Sequence, residues 1–438
     1  MPLLGGPISA EASQAVEALL ADIVVPSRPQ PLRPSSLQKY RVALGALLSD
    51  LLRFQGTGAG GKHAMSPQHF PSSEIGFGRT IFVPIKTALV THGLIEFANG
   101  WNHTGEGFSP GSVVRWGGDV AFFRPTGLLV ERLGSAASDP WHHHWRAGKP
   151  SVPQDVPRLV LRARKLRGRD TGEDMPFEPQ EPLAALWLAD LEEANSYLAS
   201  KNIEGIAFSG LRRIFNDGDQ PGKRWKRGGR YYSLAGGDAY EMMNGETRRS
   251  LIRFDGEAAA EVDIAASHLT VLYAIHGQPF DATKGDPYEV AGIHREAVKA
   301  FVTIALGRAA AEGNRWSPRA REKYAEQRPG RNLSSDYRFS DVRAAVIQKH
   351  PILHELAEDD IIALDLQWHE SEILRIAMAN LRRDKDIPSL PVHDSLVVPA
   401  SKTEVAEHEL RWAFKAHFES ETVAPKFSVK GLALAEGE

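Results

Sequence analysis

Cysteine is absent from the 438 residues. That excludes disulfides, thiolate metal sites and cysteine nucleophiles. No stretch approaches the ~20 consecutive apolar residues that a membrane span needs, so no membrane association is expected. The N-terminal segment MPLLGGPISAEASQAVEALLADIVV has no basic region ahead of an unbroken apolar core, so it does not read as a signal peptide. A charge excess is missing as well. The formal net charge is −3, so any polyanion partner must be met by local clusters of Lys and Arg. Repeats of solenoid-like spacing are also lacking. These absences lead us to expect a soluble, cytoplasmic protein. Hydrophobic residues make up 42% and charged residues 24%, enough apolar material for a real core. At about 100–200 residues per domain, the length suggests two or three domains.

Residues 1–35 end in the Pro-rich run SRPQPLRPSS and read as a leader or linker. From Ser36, SLQKYRVALGALLSDLLRF carries apolar residues at helical spacing. A second helical run, RTIFVPIKTALVTHGLIEF, has Gly93 as its C-terminal cap. Two strand-like pieces, SVVRW and VAFFRP, flank Gly117 and Gly118, and Thr126 opens the short helix TGLLVERL. Residues 36–135 therefore predict a small, mostly helical domain whose element order allows a winged helix. Many small α+β units read the same way. Residues 136–204 are a connector, and include His142, His143 and His144. Adjacent residues share neither a helix face nor a strand face, so this run reads as a loop rather than a metal site.

Four segments in the second half carry chemistry. GLRRIFNDGDQPGKRWKRGGRYYS gathers Lys223, Arg224, Lys226, Arg227 and Arg230 with Trp225, Tyr231 and Tyr232. Cations neutralise phosphates and aromatic faces accept bases, while Gly228 and Gly229 permit close backbone approach; the competing reading is a solvated basic hairpin. EVDIAASHLTVLYAIHG places Asp263 at the end of an apolar strand, where a carboxylate needs a partner or a cation. It would also serve as a helix N-cap. HREAVKAFVTIALGRAAAEG puts Arg295 and Lys299 four apart on one helix face, which suits a polyphosphate or an exposed basic stripe. IPSLPVHDSLVVPA reads as a tight hairpin with His393, Asp394 and Ser395 at its tip.

The order of these segments resembles the family A polymerases, which include the DNA polymerase I type and the single-subunit phage-type RNA polymerases. The resemblance covers roughly residues 205–438. GGRYYS is similar to the family's Gly-Arg element, DIAASH to motif A, REAVK to the start of motif B and VHDS to motif C. The resemblance implies an α+β fold: a right-hand polymerase palm with an antiparallel sheet and helical fingers over 205–438. Residues 136–204 would then form a reduced, thumb-like region. It also implies two Mg²⁺ ions about 4 Å apart, or Mn²⁺ in their place, held by Asp263, Asp394 and the Ile264 carbonyl. Arg295 and Lys299 would hold the triphosphate, with Lys299 also placed as a general acid to the leaving group. Arg230, His393, Arg227 and Lys226 would contact primer–template DNA. Nucleic acid and nucleoside triphosphates are the implied partners.

Three positions depart from the family pattern. His268 stands where the DNA polymerases carry a Glu that excludes the ribose 2′-hydroxyl. Ser395 follows the motif C Asp, as in the RNA polymerases. Motif B ends Leu306-Gly307 rather than Tyr-Gly. Sugar selection is therefore open, with His268 as the candidate gate. The helix DDIIALDLQWHESEILRIAMANL precedes motif C, and Gln367 and Glu370 face either a ligand or the polar side of an amphipathic core helix. A DNA polymerase is the leading expectation. A primer-independent RNA polymerase or primase, and a DNA-binding replication protein with an inactive palm, are the alternatives.

Overall fold

The structure is a computed structural model. It describes residues 3–431 apart from 54, 56–60, 66–69, 71–74, 99–102, 107–112, 117–119, 139–142, 147–155, 167, 170, 207, 235–238, 309–310, 312 and 358–360. His142, Gly117 and Gly118 lie outside the described residues. The chain forms two units, the first comprising 1–156, 199–210 and 233–259, the second 157–198, 211–232 and 260–438.

The first unit begins with helix α1 (Ala10–Leu19), capped by Ser9, and helix α2 (Pro34–Leu52), which starts on a proline. Strand β1 (Gly61–Ala64), helix α3 (Arg79–Thr91), strand β2 (Ile95–Ala98), strand β3 (Val120–Pro125) and helix α4 (Gly127–Leu133) follow. Gly93 takes φ +67° just beyond α3, as a helix stop requires. Thr126 caps α4 by accepting the Leu129 N–H. The three strands form an antiparallel sheet in the order β1-β3-β2, and a hairpin of 103–106 with 113–116 lies between β2 and β3 in the chain.

The leader expected over 1–35 is corrected by the packing. Leu3, Val16, Leu19 and Val24 join Leu44, Leu47, Leu51, Phe82 and Phe123 in one core. The Leu3 N–H also donates to the buried Asp50 carboxylate at 2.8 Å. The Pro-rich run is thus an internal connection. His144 meets Ser9 through Nδ1 at 2.9 Å, a structural contact rather than a metal site.

The second unit opens with strand β4 (Leu159–Leu161), helix α5 (Pro182–Ser200), strand β5 (Leu211–Phe215) and strand β6 (Gly228–Ser233). These strands pair in the order β6-β5-β4, with β4 and β5 parallel. Trp187 of α5 stacks on Phe215 at 4.4 Å, and Trp225 meets Phe215 edge-on at 5.2 Å. So 157–198 packs as part of this unit rather than forming a free-standing connector.

Strand β7 (Glu257–Ile264), which belongs to this unit from residue 260 on, leads into helix α6 (Ser267–Ile275), and helix α7 (Arg295–Arg308) follows. Helix α8 (Ala363–Asp384), strand β8 (Leu390–Val392), strand β9 (Ser395–Pro399), helix α9 (Thr403–Phe418) and strand β10 (Phe427–Lys430) complete the unit. Within it β9 lies between β8 and β7, and β10 pairs antiparallel with the end of β7. Helix α8 packs on α6 and α9. The fold is mixed α and β with mainly antiparallel sheets. The segments 205–210 and 233–259, expected in the second half, belong to the first unit. No helix among the described residues is long and apolar enough to cross a membrane.

Candidate active site

Asp263 and Asp394 come from distant segments and meet at the centre of the second unit's sheet. Asp263 is the penultimate residue of β7, and Asp394 sits in the two-residue turn between β8 and β9. The Ile264 N–H donates to the Asp394 carbonyl at 3.4 Å, which ties the turn to the strand end. Left-handed backbone lies close to both carboxylates: Ala266 has φ +48° and His393 φ +55°. Such conformations are costly for side chains other than glycine and persist where surrounding structure fixes them. Ala266, not Asp263, stands at the N-terminus of α6, which removes the N-cap reading of Asp263.

The carboxylates here have sharply different environments. Glu370, fully buried on α8, accepts from Arg230 at 2.7 Å and from the Ser267 hydroxyl at 2.6 Å. The His268 Nε2 lies 3.3 Å away. Burial alone would raise the Glu370 carboxyl, but His268 and Arg230 overcome it and hold it down at about 2. Burial also disfavours the His268 imidazolium, yet Glu370 prevails and its pKa is raised. Among the described residues, Asp394 has no such set of donors. Burial first, then the charges of Glu370 and Asp263, push it up to about 7. Burial likewise raises Asp263, against the opposing effect of Lys430, whose Nζ donates to its Oδ2 at 2.9 Å. Glu261, two residues earlier on β7, is buried and accepts from Ser395 at 2.8 Å.

Helix α7 supplies the cations. Lys299 is exposed and near enough to Asp263 to favour its charged form. Arg295, one turn earlier, pairs with Asp286 and lies 5.2 Å over the Tyr288 ring. Tyr288 is 8% exposed. Burial pushes its phenol well above the ordinary tyrosine range; Arg295 opposes this, and Asp394 and Asp286 add to it.

The basic segment before β6 is less free than its composition suggests. Lys223 pairs with Asp365 at 2.9 Å and Arg224 with Glu181 at 2.7 Å. Arg227, a candidate primer–template contact, is buried between Asp217 at 3.2 Å and Asp365 at 3.1 Å. Lys226 is exposed, Arg230 is held by Glu370, and His393 is exposed at its turn. The two glycines serve packing inside the protein. Gly229 has φ +72°, and a Cβ there would meet Phe215 at 2.8 Å and Ser371 at 3.0 Å.

The structure thus brings Asp263, Ile264, Asp394, His268, Arg230 and Lys299 together, and holds Arg227 within an internal ion-pair network. Glu370 was open between two readings and proves to be the buried hub. Lys430, Glu261 and Tyr288 are absent from the sequence-based assignment. Only Glu261 carried a signal, its two-residue spacing from Asp263 on one strand face.

Hard oxygen ligands suit Mg²⁺ or Mn²⁺. Two carboxylates whose pKa values are both raised, chiefly by burial, fit a cation of that kind. Among the described residues, no group of three or more His, Asp or Glu forms a metal cage by itself.

No family model matches the chain, and no curated protein matches it. Among solved structures, the chain is similar to the POL domain of Pol1 from M. smegmatis in complex with DNA primer-template and dNTP. The identity is 14%, the match covers 46% of this chain and 45% of that one, and the TM-score is 0.26. The matched part is a little under half of that structure's chain, and a likeness at this level carries no weight for the site.

Proposed function

We propose that this chain is a template-directed nucleotidyltransferase, a DNA polymerase adding nucleotides to a primer 3′ end. The carrying observation is the convergence of Asp263 and Asp394, with Asp394 pushed up to about 7 by burial and by the charges of Glu370 and Asp263. Two under-neutralised carboxylates beside exposed Lys299 suit phosphoryl transfer, which needs charge neutralisation and positioning more than covalent help. Asp263 and Asp394, with the Ile264 carbonyl, are the residues that would hold Mg²⁺. When bound, the metal stabilises charge on the attacking and leaving oxygens.

The chain's own residues do the rest. Lys299 and Arg295 bind the triphosphate, and Lys299 is placed to give a proton to the leaving pyrophosphate. Glu370 fixes Arg230 and His268, so neither swings into the carboxylate pair. Arg230 and His393 face the primer strand, with Lys226 as an outer phosphate contact. His268 is the candidate sugar gate.

A second reading is a primer-independent RNA polymerase or primase. Two sequence features favour it: His268 replaces the Glu with which the resembled DNA polymerases exclude the ribose 2′-hydroxyl, and Ser395 follows Asp394 as in the resembled RNA polymerases. The test is incorporation by pure protein with Mg²⁺ on primed and unprimed templates, with dNTPs and NTPs supplied separately. Primer extension with dNTPs is expected. Chain initiation with NTPs alone would establish the second reading, and no incorporation in any arm would overturn both. Replacing His268 with Glu should shift the dNTP/NTP ratio, and an unchanged ratio removes its gate role.

A further inference from the structure

Lys430 ends β10, which pairs antiparallel with β7 so that Lys430 lies opposite Glu261 and Ser428 opposite Asp263. Alternation along paired strands puts the side chains of Glu261, Asp263, Ser428 and Lys430 on one face. The Lys430 ammonium donates to Asp263 Oδ2 at 2.9 Å, while half of its side chain remains in solvent. An ion pair this exposed contributes little to folding, and its long stem moves easily. A divalent cation at Asp263 would need the same carboxylate and would repel the ammonium.

Resting on the nucleotidyl-transfer reading, we propose that Lys430 is an exchangeable counter-ion of Asp263. A divalent cation releases it, and the freed ammonium then binds the phosphates of the incoming nucleotide. The exchange keeps the face charge-balanced in both states: ammonium on carboxylate without metal, ammonium on phosphate with it. Lys299 acts on the same carboxylate from α7, so two lysines from separate elements flank the place where a triphosphate would lie. Lys430 needs no titration for this role. It only changes partner.

The test uses Mn²⁺ as a spectroscopic probe, without nucleotide, on the wild type, Lys430→Met and Lys430→Arg. Losing the competing charge should tighten Mn²⁺ binding in Lys430→Met by roughly fivefold, while Lys430→Arg stays near wild type. In an Asp263→Asn background the Lys430→Met effect should vanish, since the two act as a pair. Calorimetry with dATP and with ATP at saturating Mn²⁺ reads the second half. Lys430→Met should weaken both by roughly tenfold, and Lys430→Arg should restore them. Thermal midpoints of the variants confirm that the fold is kept. Unchanged or weaker Mn²⁺ binding in Lys430→Met overturns the exchange, and unchanged triphosphate affinity overturns the phosphate role. Wild-type protein that takes Mn²⁺ but neither triphosphate overturns the nucleotidyl reading and the phosphate role together, and the Mn²⁺ arm still decides the exchange.

Discussion

Glu370 and Asp394 are acids of the same site with opposite fates. Glu370 is buried deeper, yet it is held at about 2, because Arg230, Ser267 and His268 surround it. Asp394 is pushed up to about 7 by burial first and then by the charges of Glu370 and Asp263, which outweigh Arg230 and His268. Depth of burial therefore does not decide which acid is functional. Glu370 is satisfied by the chain itself and serves as structure. Asp394 keeps a raised pKa, and Asp263 is met by the half-exposed Lys430. Titratable groups pushed apart in this way mark divided roles within a site.

The sharpest way to break this contrast is to neutralise the satisfied acid. Glu370→Gln leaves Arg230 and His268 beside an amide in a buried setting, and should cost about 3–5 kcal/mol in urea unfolding. Since its pKa is lowered in the folded state, the stability Glu370 adds is present above the ordinary glutamate range. It is lost as pH falls toward about 2. A loss under ~1 kcal/mol would show that the hub is dispensable.

Asp394→Asn should do the reverse. The folded Asp394 keeps a proton that the unfolded chain releases between the ordinary aspartate range and about 7. Across that window rising pH lowers metal-free stability, and above about 7 the loss is complete. The Asn variant should therefore melt a few degrees above the wild type at pH 8, with little difference at pH 4. Equal midpoints at both pH values would contradict the raised pKa.

Mg²⁺ should act on one side of the comparison only. At pH 8 it should raise the wild-type thermal midpoint by binding the folded state, and do so much less in Asp394→Asn. A smaller effect is expected at Lys226, the exposed member of a mostly paired basic run. Lys226→Ala should weaken primer–template binding modestly and lower the salt slope by about one. An unchanged slope removes it from the interface.

Much of this site was legible because its parts are local. Apolar residues around Asp263 and Asp394 mark a strand and a hairpin, and three-and-four spacing marks α7 and α8. Lys430 was not legible. It reaches Asp263 from the end of the chain, through a strand register that no local pattern encodes. The basic run misled for a related reason: Asp365 and Glu181, which neutralise much of it, lie far away in sequence, although Asp217 sits in the segment itself. In the first unit the Pro-rich run suggested a linker, although Val16, Leu19 and Val24 already carried the apolar stripe that packs on α2.

The contrast between the two acids rests on what the under-neutralised pair is for. Its most direct measurement is the single-turnover rate of Mg²⁺-dependent primer extension for the wild type, Asp263→Asn and Asp394→Asn. The account predicts that each substitution lowers the rate by at least about a hundredfold while the protein stays folded. Extension at wild-type rate in either variant would contradict it.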